Sequence, residues 1–150
     1  MDPVRLRRPE NVAVLGYLET EQLPSWRASD SPWIVDGYAL STHPDLCERV
    51  ETLAAAAGGA FGYLVGRPVV VGEGDVIVAF GAGTHIFCLR LPRAECAAVA
   101  VTREDEPARH PLLRRKQLEL KALVAGEWTR VDPWADEAAD ALAAALTRTG

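Results

Sequence analysis

The sequence predicts an α+β domain: one antiparallel meander sheet of four to five strands with helices packed on one face. Two patterns and the chain's size carry that expectation. From Gly58 to Pro92 the chain reads GGAFGYLVGRPVVVGEGDVIVAFGAGTHIFCLRLP, in which short runs rich in Val, Ile and Phe are separated by glycine-containing turns. A capped, amphipathic helix pattern precedes this stretch, and an Ala-rich helix pattern ends the chain. A length of 150 residues with 49% hydrophobic and 25% charged residues suits one domain over residues 1–150, able to bury about two-thirds of its unfolded surface.

Taken in order, Met1 to Glu10 carries two prolines among charged residues and is expected to be a loose arm, leaving a core over residues 42–147. Asn11 to Leu18 fits a short strand or a helical turn equally well. Thr20 to Pro32 has loop composition with Trp26 as an anchor, and Trp33, Ile34 and Val35 offer a second before Asp36-Gly37 turns the chain. A helix should begin at Thr42 as N-cap, with Pro44 and Asp45 in its first turn. Leu46, Val50, Leu53 and Ala57 line one of its faces, and Gly58-Gly59 ends it.

The expected strands are Ala60–Val65, Pro68–Val71, Asp75–Phe80 and His85–Leu91. Their turns fall at Gly66-Arg67, Gly72-Glu73-Gly74 and Gly81-Ala82-Gly83. In the last strand His85, Phe87, Leu89 and Leu91 face one way and Ile86, Cys88 and Arg90 the other. Both sets are largely apolar, so that strand should be central and mostly covered on both sides.

Arg93–Val101 reads as a short Ala-rich helix over the sheet edge, and Thr102–His110 as a charged loop. Pro111–Ala125 fits either period, with Pro111 and many helix formers favouring a helix. Gly126–Val131 reads as a strand with Trp128 packed against the final helix. Asp132-Pro133 should start that helix, whose buried stripe is Ala135, Ala139, Leu142 and Leu146.

A net charge of −5 and a pI near 5.2 argue against a mainly electrostatic grip on nucleic acid or an anionic membrane. The clusters Arg5/Arg7/Arg8 and Arg114/Arg115/Lys116 read as solvated surface. Three cysteines without CxxC spacing fit buried thiols in a reducing compartment. The apolar run Val12–Leu18 is too short for a secretory signal or a membrane span. A cytoplasmic protein is expected.

No motif specifies catalysis, a metal or a cofactor, and none is expected. His85 and Cys88, three apart on a strand, face opposite sides and cannot share an ion; His43 and His110 lie apart from them. The Gly-rich turns are each followed by a strand, so they lack the helix N-terminus that a phosphate loop requires. Ser41, Thr42 and His43 are adjacent at a helix start and do not set a hydroxyl against an imidazole. Arg90, inside the apolar run I-F-C-L-R-L-P, must reach solvent along its stem or meet a carboxylate, for which Glu73, Asp75 and Asp132 are candidates. Such a partner would make Arg90 structural; any small-ligand site is expected to contain Arg90 as an anion-binding group, shared with Tyr63 and His85.

The order helix, Gly-Gly, meander, Trp-containing strand, helix, with GGAFGYLVGRPVVV, HIFCLRLP and GEWTRVDPWADEAADAL, resembles the TfoX N-terminal domain and the wider MmcQ/YjbR-like group. Gly58, Gly59, Phe61, Gly66, Arg90, Pro92, Gly126, Trp128, Val131 and Asp132 occupy the group's pattern positions, over roughly residues 42–147. Leu53–Ala57 replaces the group's usual charged lead-in, and the first 40 residues have no counterpart. The resemblance implies a small α+β fold and speaks less to function. It leaves three readings: a non-enzymatic module for a protein or small-molecule partner, a nucleic-acid-binding or transcription-linked regulator, and a small enzyme working on an open sheet face. The acidic balance weighs against nucleic acid, and self-association as a homodimer is compatible with all three.

Overall fold

The computed structural model describes residues 6–18, 34–35, 38–39, 42–64, 67–82, 86–92, 95–96, 111–124 and 127–149. Its sheet follows chain order, β3 (Ala60–Leu64), β4 (Arg67–Val71), β5 (Ile77–Ala82), β6 (Ile86–Leu89) and β7 (Thr129–Arg130), every neighbouring pair antiparallel. A separate two-residue pairing joins β1 (Ile34–Val35) to β2 (Tyr38–Ala39). The helices are α1 (Val12–Leu18), α2 (Pro44–Ala57), α3 (Pro111–Val124) and α4 (Ala138–Thr149). The expected α+β class and antiparallel five-strand sheet are therefore present.

The helices are not confined to one face. α2 and α4 pack on the side carrying Val70, Val78, Ala79, Phe87 and Leu89. The opposite side, with Val69, Val71, Ile77, Phe80 and Cys88, is covered by Leu6, by Val14, Leu15, Tyr17 and Leu18 of the α1 region, and by Leu120 and Leu123 of α3. The reason is in the strands themselves: both faces of β4, β5 and β6 are apolar and buried, and each needs a cover.

Leu6 to Glu10 is consequently not a loose arm. Leu6 is 1% exposed within the core, and Pro9–Asn11 forms a 3-10 turn leading into α1. Arg67, itself buried, donates from Nη1 to the Leu18 carbonyl at 3.0 Å and so caps the end of α1. The packed unit includes Leu6 to Leu18 as well as the stretch from Thr42.

Several boundaries differ from expectation for local reasons. His43, not Thr42, caps α2, its Nδ1 accepting from the Asp45 N–H at 3.1 Å. Thr42 is buried, its hydroxyl 3.4 Å from the Gly81 carbonyl. The α2 stripe of Leu46, Val50 and Leu53 is buried, and Gly58 closes the helix in the left-handed region at φ 82°. Gly81 and Ala82 lie within β5 rather than in the turn, because they still pair with Phe87 and Ile86.

At the chain's end, Asp132 accepts from the Trp134 N–H at 3.0 Å in a turn, and α4 starts only at Ala138. Arg49 holds that lead-in against α2, donating to the Pro133 carbonyl at 2.7 Å and the Ala135 carbonyl at 3.3 Å. The two stretches whose period is ambiguous in the sequence resolve as helix over Val12–Leu18 and Pro111–Val124. The loops expected at 20–32 and 102–110 lie outside the described residues, as does most of the helix expected at 93–101.

Candidate functional site

Arg90 lies next to an irregularity in the sheet. The β4–β5 register passes from Val70↔Ala79 to Val71↔Ile77, leaving Val78 as a bulged residue. The β5–β6 ladder ends at Ala79↔Leu89, and Arg90 follows directly. Its backbone N–H reaches the Val78 carbonyl at 2.7 Å, and its Nε donates to the Ile77 carbonyl at 2.8 Å. The backbone bond to Val78 continues the β5–β6 register by one residue, and the side chain takes the Ile77 carbonyl beside the bulge.

The guanidinium lies 4.6 Å above the Trp128 ring, a cation–π arrangement. Trp128 is buried on this face, 5.4 Å from Phe80 between ring centroids, which in turn lies 5.2 Å from Tyr17. It does not pack against α4, as the sequence suggested, because α4 belongs to the other face. The residues preceding β7 approach the sheet from the α1/α3 side.

Asn11, fully buried, ties the neighbourhood together. Its side-chain amide donates to the Leu6 carbonyl at 2.7 Å and the Asp75 carbonyl at 2.9 Å. Its Oδ1 accepts from the Ile77 N–H at 2.9 Å and faces Arg90 Nη2 at 3.5 Å. Gly74 and Asp75 both sit in the left-handed region, at φ 72° and 60°, a conformation that Asp tolerates better than most residues. Their carbonyls meet Asn11 and Arg8 Nη1 respectively from Asp75 and Gly74.

The remaining guanidinium nitrogen, Arg90 Nη1, makes no hydrogen bond among the described residues. It faces the Glu127 carboxylate at 3.9 Å, beyond hydrogen-bond reach. Arg90 is 7% exposed, and burial lowers its pKa, opposed by the carboxylates of Glu127 and Glu10. A guanidinium stays protonated regardless, so the cost appears as unmet demand for an anion. Glu10 is held below its ordinary value, chiefly by a backbone hydrogen bond and then by Arg8 and Arg90.

These groups line a cleft of about 600 Å³, with Arg90 among Arg8, Glu10, Glu73, Glu127 and Arg148 and the loop backbone at Gly74–Val76. The carboxylates expected to meet Arg90 are not the ones that do. Glu73 shares the cleft, the Asp75 backbone carbonyl meets Asn11, and Asp132 is engaged in its own turn.

Tyr63 is not part of this arrangement. It lies on the edge strand β3, 53% exposed, edge-to-face with Phe61 at 5.2 Å. Phe61 packs with the α2/α4 core, so Tyr63 is on the face opposite Arg90 and at the far side of the sheet. Burial raises the pKa of the Tyr63 phenol, with Cys47 and Glu51 adding to it. His85 lies outside the described residues. Asn11, Glu127, Arg8 and Arg148 escaped sequence reasoning because nothing in their local pattern distinguishes them from a helix lead-in or a solvated charge.

Among the described residues, no helix is long and apolar enough to cross a membrane, and no group of three His, Cys, Asp or Glu side chains could hold a metal ion. No family model matches this chain, and neither a curated protein nor a solved structure matches it.

Proposed function

We infer that this is a non-enzymatic binding module of the TfoX/YjbR-like type, whose ligand site is the cleft floored by Arg90 and whose ligand carries an anionic group. The observation that carries this reading is the buried guanidinium. Its Nε is held by the Ile77 carbonyl and its guanidinium face by Trp128, while Nη1 has only a carboxylate at 3.9 Å beside the cleft that Arg90 lines. A donor held in place and already desolvated gains more from an anion than an exposed arginine would. The net charge of −5 favours a small ligand over nucleic acid.

The test is a thermal-shift panel of small carboxylates, sulfonates and phosphates on the intact chain and on Arg90→Gln. At least one anion should raise the melting temperature of the native chain. The substitution should weaken that ligand by about tenfold or more, since a hydrogen bond to a charged group is worth about 1.5–3 kcal/mol. A panel with no Arg90-dependent shift would remove the proposal.

A further inference from the structure

We propose that the Arg90 cleft takes a zwitterion of the α-amino-acid class, its carboxylate on Arg90 Nη1 and its ammonium on Glu127, with Glu73 as a second acceptor for the cationic end. This rests on the reading of the cleft as the ligand site and specifies what fills it.

The commitments of the charged groups separate structural pairs from available ones. Arg8 is used by Glu10 at 3.4 Å and by the Gly74 carbonyl, and Arg148 by Glu95 at 3.1 Å. Arg90 Nη1 has no hydrogen bond, and the Glu73 carboxylate has no hydrogen bond or ion pair, among the described residues. Glu127 has only the distant Arg90 and is 61% exposed at its side chain, which makes that contact weak. What the cleft leaves available is one fixed cationic donor beside two carboxylates.

Charge balance then selects the ligand. With Arg8 paired to Glu10 and Arg148 to Glu95, Arg90 is left with Glu73 and Glu127, so a multiply charged anion such as phosphate meets no net positive field and two uncompensated carboxylates. A neutral zwitterion satisfies both available signs. Spacing narrows the class further. Arg90 Nη1 and Glu127 Oε2 are 3.9 Å apart, so the ligand's opposite charges must be carried by groups attached to the same carbon. An ammonium on the carbon next to a carboxylate meets that condition, whereas charges several bonds apart do not. The rest of the roughly 600 Å³ cleft is room for the side chain.

Isothermal titration calorimetry on the full chain separates the cases, using the common L-α-amino acids as probes and acetate, 6-aminohexanoate and inorganic phosphate as controls. At least one α-amino acid should bind about tenfold tighter than every control, as expected for one added charge-assisted contact. Glu127→Gln, a change at an exposed side chain, should weaken that probe by about tenfold and leave acetate no weaker than before. Glu73→Gln should act in the same direction.

If acetate or phosphate binds in an Arg90-dependent way as tightly as any α-amino acid, the zwitterion is wrong and the anion site stands. An α-amino acid whose affinity is unchanged in Glu127→Gln also overturns the assignment. If no probe binds, both readings fall.

Discussion

Arg90 and Trp128 depend on each other. The indole gives the guanidinium a face to lie on, worth about 0.5–2 kcal/mol, and the guanidinium covers an aromatic ring at the cleft. Trp128 also joins Phe80 and Tyr17 in one aromatic row across the α1/α3 face. Trp128→Ala should therefore cost about 3–5 kcal/mol and also loosen Arg90; a thermal melt unchanged within about a degree would contradict this. Cys88 lies wholly inside the same core, and burial pushes its thiol up from 9.0 to about 12. Between those two values the unfolded chain loses the thiol proton while the folded one keeps it. Stability present below pH 9.0 is therefore lost as pH rises towards about 12, at up to about 1.4 kcal/mol per pH unit. Other groups titrate in this window, so the measurement is comparative: Cys88→Ala should be less stable at neutral pH yet show a shallower fall from pH 9 to 11. Equal slopes would mean that the thiol contributes nothing.

At the level of elements, two glycines with open space around them should respond in opposite ways. Gly16 lies inside α1 and Gly58 closes α2, and a Cβ at either would meet nothing within 4 Å. Gly16 has ordinary helical backbone, so Gly16→Ala removes an entropic cost and should stabilise by about 0.5–1 kcal/mol. Gly58 stands at φ 82°, so Gly58→Ala should destabilise by about 1–2 kcal/mol. Denaturant midpoints of the two variants shifting in the same direction would contradict either the helical backbone at Gly16 or the left-handed close of α2 at Gly58. Gly59 is a different case, since its Cβ would come within 2.6 Å of the Val70 side chain; there the constraint is the close approach of α2's exit to β4. The sheet also acts at this scale, because Arg90 directly follows the last β5–β6 pair, where its backbone still meets Val78 and its side chain takes the Ile77 carbonyl beside the Val78 bulge.

For the whole molecule, the sheet is a middle layer with a helix pair on each side. The segment before the first pairing supplies Leu6, Val14, Leu15, Tyr17 and Leu18 to one core. At about 1.5–3 kcal/mol for each large apolar side chain fully buried, their loss rivals a domain's whole stability of about 5–15 kcal/mol. A chain beginning at Thr42 should therefore lack a cooperative thermal transition by circular dichroism, whereas the full chain shows one. Removing that segment also removes Arg8 and Glu10 from the cleft and Asn11 from beside Arg90, so stability and the ligand site share one N-terminal anchor.

Local pattern determined most of the elements. Glycine-punctuated apolar runs set the four-strand meander, the 4-3-4 stripe ending at Gly58 set α2, and the cost of burying a guanidinium singled out Arg90 from the sequence. All of these depend on neighbours a few residues away, which a sequence displays directly. Only tertiary structure decided which face each element covers. Apolar alternation shows that both sides of β6 need a cover but not that α1, ambiguous in period, supplies one, nor that Trp128 belongs with it. The company of Arg90 was equally hidden. Asn11, Glu127 and Arg148 come from distant parts of the chain, and Tyr63, though close in the meander pattern, is sent to the far edge and opposite face by strand order and pleat. Charge partners in a cleft are fixed by the packing of whole layers, and no spacing rule along the chain encodes that.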